Sequence, residues 1–340
     1  MTHDPLFSGP ARTLLLAAAV VVVLAGMKAA SPILGPLFFA VFLAVIFGML
    51  LHWLRTKGYS RRVALLVTLA VFIAIIAVFT LVIAGSLLRL LASLPLYRGE
   101  LERNLEMAGP ILSGMGIETP EVSGILRSLQ GSLPSVAGSL LDMAVAFGII
   151  ILTTLFLLFE AGGFSANLRK IIAEYRPGDL DRFTQLAKKN MDYLVIRTIV
   201  NLVMGIGTAI ILWLIGVDYA VFWGFLAFLL GFVPYVGFWL AIIPPMLLAW
   251  VEISPVAALL VLVGEGAVNL LAEYLLFPHM AGRGLDLSTT VVFISLIFWG
   301  WILGGFGVLL AVPLTLTVRM LCELFEGTRW IAVLLGPGTE

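Results

Sequence analysis

Charged residues and cysteine are both scarce in this sequence. Charged residues make up 12% of the 340, about half of the roughly 25% found in soluble globular proteins. Twenty Lys and Arg balance twenty Asp and Glu, so no net basic charge is present to bind nucleic acid. One cysteine, Cys322, excludes a disulfide within the chain and a thiolate-only metal cluster. Apolar residues reach 61%, and we predict an all-α, polytopic membrane protein.

Long apolar runs predict where the chain crosses the membrane, since a span needs roughly 20 apolar residues. The first five runs are residues 13–27, 33–53, 63–88, 139–159 and 194–215. Small residues after the first run would suit signal-sequence cleavage, but the apolar character continues and we expect a retained helix.

The C-terminal half contains apolar stretches that turn residues divide. Pro234 splits 219–251 into two short halves, and Ser254 with Pro255 opens a helix over 255–277. The last run, 287–321, is too long for one straight crossing. We expect a glycine break there and a kink at Pro313; the glycines are Gly300, Gly304, Gly305 and Gly307. The total is eight to ten apolar segments and about eight spans, depending on whether the two broken regions cross or re-enter.

Lysine and arginine in short loops predict the orientation. Residues 55–62 carry four cations and no acid, and residues 162–193 carry six cations. Both loops should be cytoplasmic, which places the N-terminus inside and a small helical extracytoplasmic insertion at 89–138. We divide the chain into five parts. Residues 1–88 hold the N-terminal transmembrane helices, 89–138 the extracytoplasmic insertion, and 139–193 a transmembrane helix and the basic cytoplasmic loop. Residues 194–325 form the transport core with its broken helices, and 326–340 form a cytoplasmic tail.

Ionisable residues inside the apolar runs are candidate functional residues, because charge in a bilayer is costly. Glu265, Asn269 and Glu273 recur every four residues along one predicted helix face. They could bind a proton, a hydrated cation or a polyhydroxylated solute, or Glu265 could be protonated and bond a neighbouring helix. Arg197 and Asn201 lie one turn apart. Arg197 could pair with an intramembrane Glu, although we favour a side chain that snorkels to the cytoplasmic surface.

The two broken regions resemble each other, and paired broken segments indicate the binding site of a transporter. The first reads Gly231-Phe-Val-Pro234-Tyr235-Val-Gly237, and the second reads Gly304-Gly305-Phe-Gly307 with Pro313 downstream. Such breaks leave backbone groups for a solute or water to satisfy. Close helix packing through small residues is the alternative, but it does not explain Pro234.

These broken segments, with Glu273 to Pro278 and the stretch Met280-Ala-Gly-Arg-Gly-Leu-Asp-Leu287, resemble the autoinducer-2 exporter family, also described as PerM-like permeases. The resemblance covers nearly all of the chain. It implies a transporter of the bacterial cytoplasmic (inner) membrane, from a family linked to export of a furanosyl quorum-sensing signal or to sodium-proton exchange. We also expect a homo-oligomer, because the apolar faces of the outer segment need a partner or the bilayer.

We therefore expect a permease or secondary transporter rather than an enzyme. No Walker-type loop is present in the sequence, so direct use of ATP would need a partner. We expect no cofactor, and H⁺ or Na⁺ is the candidate coupling ion. The expected partners are the bilayer, a small solute or cation and further copies of the chain. Two alternatives stay open: an uncoupled oligomeric pore, and a non-transport factor for envelope assembly.

Overall fold

The computed structural model describes residues 9–93, 99, 103, 124, 133–160, 170–171, 173–174, 180–281 and 287–336. Every regular element in these ranges is helical. The helices are α1 (Gly9–Ala29), α2 (Ser31–Thr56), α3 (Arg61–Ser93), α4 (Leu133–Glu160), α5 (Leu180–Ile215), α6 (Ala220–Leu230), α7 (Val236–Glu252), α8 (Pro255–Leu270), α9 (Phe277–Ala281), α10 (Thr289–Leu303), α11 (Gly305–Leu324) and α12 (Arg329–Leu335), with a π-helical turn over Leu271–Leu276 between α8 and α9 and a 3₁₀ turn over Glu326–Thr328. Most of the predicted insertion at 89–138 lies outside the described residues.

Five helical segments in the described ranges are long and apolar enough to cross a membrane. They are Ser31–Thr56, Arg61–Val82, Lys188–Ile215, Pro255–Met280 and Gly305–Leu324. Five shorter apolar helices accompany them, including Ala220–Leu230, Val236–Glu252 and Thr289–Leu303. The prediction of a helical membrane protein is confirmed at this level, and the number of complete crossings stays a prediction.

The helix boundaries follow local sequence signals. Ser254 caps α8, where its hydroxyl accepts a hydrogen bond from the Ala257 N–H at 3.1 Å and Pro255 occupies the first turn. The last apolar run breaks at Gly304, whose φ of 64° suits glycine. Gly305 and Gly307 lie inside α11, as does Pro313, so the helix continues past the expected kink.

Helix α5 begins at Leu180, well before the apolar run that starts at residue 194. The sequence analysis placed this polar stretch in a loop because it lacks apolar character. Two features explain why the polar stretch is helical. Between Leu180 and residue 194 there is no glycine or proline to end a helix, and Asp181 lies in the first turn, where a carboxylate interacts favourably with the helix dipole.

Helix α5 packs directly against α6 and α8 through small residues. A Cβ on Gly205 would lie 2.6 Å from the Gly224 carbonyl oxygen of α6. A Cβ on Gly207 would lie 2.7 Å from Val268 of α8. Because glycine has no side chain, α5 can lie very close to α6 and α8, and close approach of this kind stabilises the packing of membrane helices. This contact brings the polar side chains of α5 and α8 within reach of one another.

Candidate functional site

Helices α6 and α7 form a hairpin beside α5. At its base, the Asp218 N–H donates a hydrogen bond of 3.2 Å to the carboxylate of Glu252, joining the start of α6 to the end of α7. At its tip, the Gly231 carbonyl accepts a hydrogen bond from the Arg197 guanidinium of α5. The tip therefore ends part-way along α5, while the base lies near the C-terminal end of α5. Pro234, the residue that predicted the break, sits in this tip.

The turn at the hairpin tip is conformationally strained. The Val236 N–H donates to the Pro234 carbonyl at 2.7 Å, and Tyr235 between them has φ 63° and ψ −51°. These values define a γ-turn of the rare, strained form. Strain of this kind concentrates at functional sites. Glycine at 237 is needed because a Cβ there would collide with the Leu230 carbonyl.

Arg197 is buried and paired, so the snorkelling interpretation is wrong. Arg197 is 8% exposed, and its guanidinium lies 2.8 Å from the Glu273 carboxylate. The same guanidinium bonds the Gly231 carbonyl at the hairpin tip. The hydrogen bonds to the Glu273 carboxylate and the Gly231 carbonyl offset part of the cost of removing the cation from water. Arg197 thus connects α5, the π-helical turn and the hairpin.

Asn201 lies one turn after Arg197 and is completely buried. Neither its amide oxygen nor its amide nitrogen has a hydrogen-bond partner among the described residues. The amide faces the hairpin tip, since a Cβ on Gly231 would lie 2.7 Å from the Asn201 Oδ1. A buried amide with unused donors and an acceptor is costly without a ligand or water.

Glu265 lies further along α8 and is 5% exposed. Its Oε2 accepts a hydrogen bond of 2.5 Å from the Thr208 hydroxyl of α5, and its Oε1 has no partner among the described residues. Thr208 was missed by the sequence analysis, which weighed ionisable groups and amides. Its spacing could have found it, because Arg197, Asn201 and Thr208 recur at intervals of four and seven residues along one face of α5.

Both glutamates of the predicted stripe face α5, although the stripe is not a continuous α-helix. The π-helical turn begins at Leu271 and contains Glu273, whose carboxylate accepts a hydrogen bond of 2.9 Å from the Arg197 guanidinium. Single π-helical turns of this kind occur frequently at functional sites. Asn269 lies between the two glutamates on α8 and is half-buried. We call Arg197, Asn201, Thr208, Glu265 and Glu273 the polar seam.

The second broken region contributes no member of this seam. Helices α10 and α11 meet at Gly304 and are tied by buried hydroxyls: the Trp299 Nε1 donates to the Thr315 Oγ1 at 3.0 Å, and Thr315 and Ser295 lie 2.9 Å apart. Gly307 packs against the Trp299 carbonyl. The structure therefore brings the α5, α8 and hairpin candidates together and places Gly304, Gly305, Gly307 and Pro313 in a separate helix pair.

A buried polar seam beside a helical hairpin that ends inside a bundle of apolar helices is an arrangement typical of membrane transporters. The chain belongs to the AI-2E family of transporters, whose family model matches residues 17–326. The resemblance predicted from the sequence is thereby confirmed.

Individual relatives match along nearly the whole chain. The chain is 33% identical over 322 residues to the AI-2 transport protein TqsA of Escherichia coli (strain K12), covering 93% of each. It is 31% identical over 341 residues to the putative transport protein YhhT of the same organism, covering 96% of this chain and 94% of that protein. It is 30% identical over 340 residues to a putative transport protein of Haemophilus influenzae, covering 96% of each.

Proposed function

We propose that this chain is a secondary transporter of the bacterial inner membrane in which the polar seam binds a small polar solute or cation and Glu265 binds the coupling ion, H⁺ or Na⁺. The observation that carries the proposal is the environment of Glu265. It is buried, one carboxyl oxygen has no partner, and no ion pair with Lys or Arg holds it among the described residues. A carboxylate in such surroundings needs a proton or a cation as its counter-charge.

Glu273 differs from Glu265 in this respect, which divides the roles of the two carboxylates. Glu273 already has Arg197 as its counter-charge at 2.8 Å. We propose that Arg197 and Glu273 neutralise each other's charge and hold the hairpin tip in place. Glu265 is then the carboxyl whose counter-charge can leave and return, as a coupled transporter requires.

We assign recognition of the solute to the Asn201 amide, which lies close against the hairpin tip at Gly231. The unpartnered Asn201 amide supplies one acceptor and two donors, and Asn269 lies on the neighbouring helix. Such groups recognise hydroxyl-bearing or amide-bearing solutes by hydrogen bonding rather than by charge. Because a relative at 33% identity is named as an AI-2 transport protein, AI-2 is the first solute to test.

The test is flux in liposomes that contain the purified full-length chain. Imposed proton and sodium gradients are applied in turn, internal pH is read with a trapped dye, and AI-2 efflux is measured in parallel. A coupled transporter dissipates the proton gradient when the opposing sodium or solute gradient is applied, and its solute flux changes with the imposed gradient.

Two other functions predict different results in the same experiment. An uncoupled oligomeric pore passes solute at a rate that is independent of either gradient. A factor for envelope assembly moves neither protons nor solute above the rate in protein-free liposomes. We favour coupling because a simple pore gives no reason for a buried carboxyl without a counter-charge. Homo-oligomerisation is part of this proposal, and mass measurement in detergent tests it: a species of 36.7 kDa alone would contradict it.

A further inference from the structure

A cavity of about 610 Å³ lies between α2 and α3 on one side and α5 and α6 on the other. Aromatic and aliphatic side chains line it, among them Phe42, Ile46, Ile206 and Phe228. The polar side chain among its lining residues is Thr198, whose hydroxyl donates to the Leu194 carbonyl of its own helix at 2.7 Å. The cavity therefore presents hydrocarbon and offers no free side-chain donor to a polar ligand, which separates it from the polar seam.

The length of the cavity matches one leaflet of a bilayer. On α2 the lining residues run from Phe39 to Leu50, and on α5 from Thr198 to Ala209. Each stretch covers about 16 Å of helix axis at about 1.5 Å per residue. Half of a hydrocarbon core of about 30 Å is about 15 Å. A single extended acyl chain of one leaflet has the length and the chemistry that this cavity accommodates.

Exposed cations lie just beyond one end of the cavity. Arg55 follows Leu50 by about 7.5 Å of helix axis, which corresponds to the depth of the headgroup region outside the hydrocarbon core. Lys57 lies in the turn between α2 and α3, Arg62 lies in the first turn of α3, and both are exposed. The Lys57 ammonium lies 5.6 Å from the ring centre of Trp53. The fourth cation, Arg61, donates a hydrogen bond of 3.2 Å to the Phe159 carbonyl.

We propose that this cavity binds one acyl chain of an anionic phospholipid whose phosphate contacts Arg55, Lys57 and Arg62. Leu202, Ile206 and Val221 line the cavity and are each more than half exposed, so it opens to the surface of the helices, where a lipid chain can enter. In a membrane the abundant apolar occupant is a lipid chain, and a cluster of cations next to the hydrocarbon boundary attracts a phosphate headgroup. The bound acyl chain then fills the gap between α2 and α3 and the α5–α6 pair, in which α5 carries three of the five residues of the polar seam. The proposal does not depend on the transported solute or on coupling.

The test is photolabelling of the full-length chain in liposomes with phosphatidylglycerol that carries a diazirine in its acyl chain. Mass spectrometry then locates the labelled peptides. We expect saturable labelling at Ile46 and Ile206, with unlabelled phosphatidylglycerol competing about tenfold better than phosphatidylcholine of identical chains, because several cations contact the headgroup. The triple variant Arg55→Ser/Lys57→Ser/Arg62→Ser should lose this headgroup preference and keep the labelling by the acyl chain.

A pair of tryptophan substitutions separates the cavity from the general lipid surface. Ile206→Trp fills the cavity and should reduce the saturable labelling severalfold. Ile210→Trp is the matched control, since it lies one turn further on α5 with a similar exposure, 50% against 52%, and does not line the cavity. Labelling that does not saturate and spreads evenly over all apolar helices would overturn the proposal. A second copy of the chain covering the cavity would also overturn the proposal. In that case a crosslinker attached at Ile46 or Ile206 would join two copies of the chain.

Discussion

At the scale of single residues, the site depends on how each buried polar group finds a partner. Arg197 satisfies two oxygens at once, the Glu273 carboxylate and the Gly231 carbonyl, so one side chain fixes the hairpin tip to two helices. Glu265 has Thr208 for one oxygen and nothing for the other among the described residues. Glu273 has a cation as its counter-charge and Glu265 has none among the described residues. For this reason we assign Glu273 to the structure of the hairpin tip and Glu265 to the coupling ion.

The Arg197–Glu273 pair gives a prediction about stability. Arg197→Met leaves the Glu273 carboxylate without its cation and the Gly231 carbonyl without its donor, and we expect a loss of about 3 kcal/mol, the lower end for a buried pair since the Glu273 side chain is 28% exposed. The double variant Arg197→Met/Glu273→Leu should recover part of that loss, because no charge is left unpaired. Thermal unfolding in detergent measures both.

A second ion pair in the chain supplies the control for this experiment. Arg319 and Glu323 lie one turn apart on α11, 3.3 Å from each other. In a double-variant cycle that isolates the pair from other contacts, the coupling between Arg319 and Glu323 should be about 0.5 kcal/mol, as is usual for a pair within one helix. An equal coupling energy for Arg197 and Glu273 would show that Arg197 does not hold the hairpin.

At the scale of elements, the α6–α7 hairpin depends on close backbone contact at its tip. Gly237→Ala would place a Cβ against the Leu230 carbonyl, which is backbone and cannot move aside cheaply. We expect a destabilisation of about 2 kcal/mol and a loss of flux. Gly266→Ala is the matched control in α8, where no atom lies within 4 Å of the added Cβ. It should be neutral or stabilising, and a similar loss from both substitutions would contradict this description of the tip.

The γ-turn at the tip gives a second prediction at this scale. Tyr235 is 56% exposed, so truncating its side chain removes little packing. Because its φ of 63° favours glycine, Tyr235→Gly should be more stable than Tyr235→Ala by about 1 kcal/mol. At Tyr274, in the π-helical turn and 71% exposed, the order should reverse, since alanine is the better residue in a helix. Finding alanine more stable at both positions would refute a strained turn.

The helices and their breaks were largely predictable from the sequence, and the contacts between them were not. Apolar runs, Pro234 and Gly304 are local signals, and the structure breaks the helices at those residues. The burial of Arg197 was not predictable, because its position one turn from a polar stretch also suits a side chain that reaches the surface. Its partners lie 34 and 76 residues away and are brought close only when α8 and the hairpin pack on α5.

At the scale of the whole molecule, the hairpin has consequences for topology. Its base joins Asp218 to Glu252, so both ends of the hairpin lie at one side of the bundle. We expect Asp218→Cys and Ile253→Cys to react with an impermeant maleimide from the outside, and Lys57→Cys from the cytoplasmic side, in a Cys322→Ser background. Asp218→Cys and Ile253→Cys reacting from opposite sides would mean that the α6–α7 region crosses the membrane an odd number of times, which contradicts re-entry.

The role of Glu265 is the central claim, and one substitution tests it most directly. Glu265→Gln keeps the size of the side chain and its bond to Thr208 but removes the group that binds a proton or cation. Proton and sodium fluxes driven by an opposing ion or solute gradient in liposomes are measured for the native chain, for Glu265→Gln and for the control Glu323→Gln on α11. The account predicts that Glu265→Gln abolishes the coupled flux of whichever ion the native chain moves, while Glu323→Gln retains it. Coupled flux in Glu265→Gln equal to that of the native chain would contradict the account.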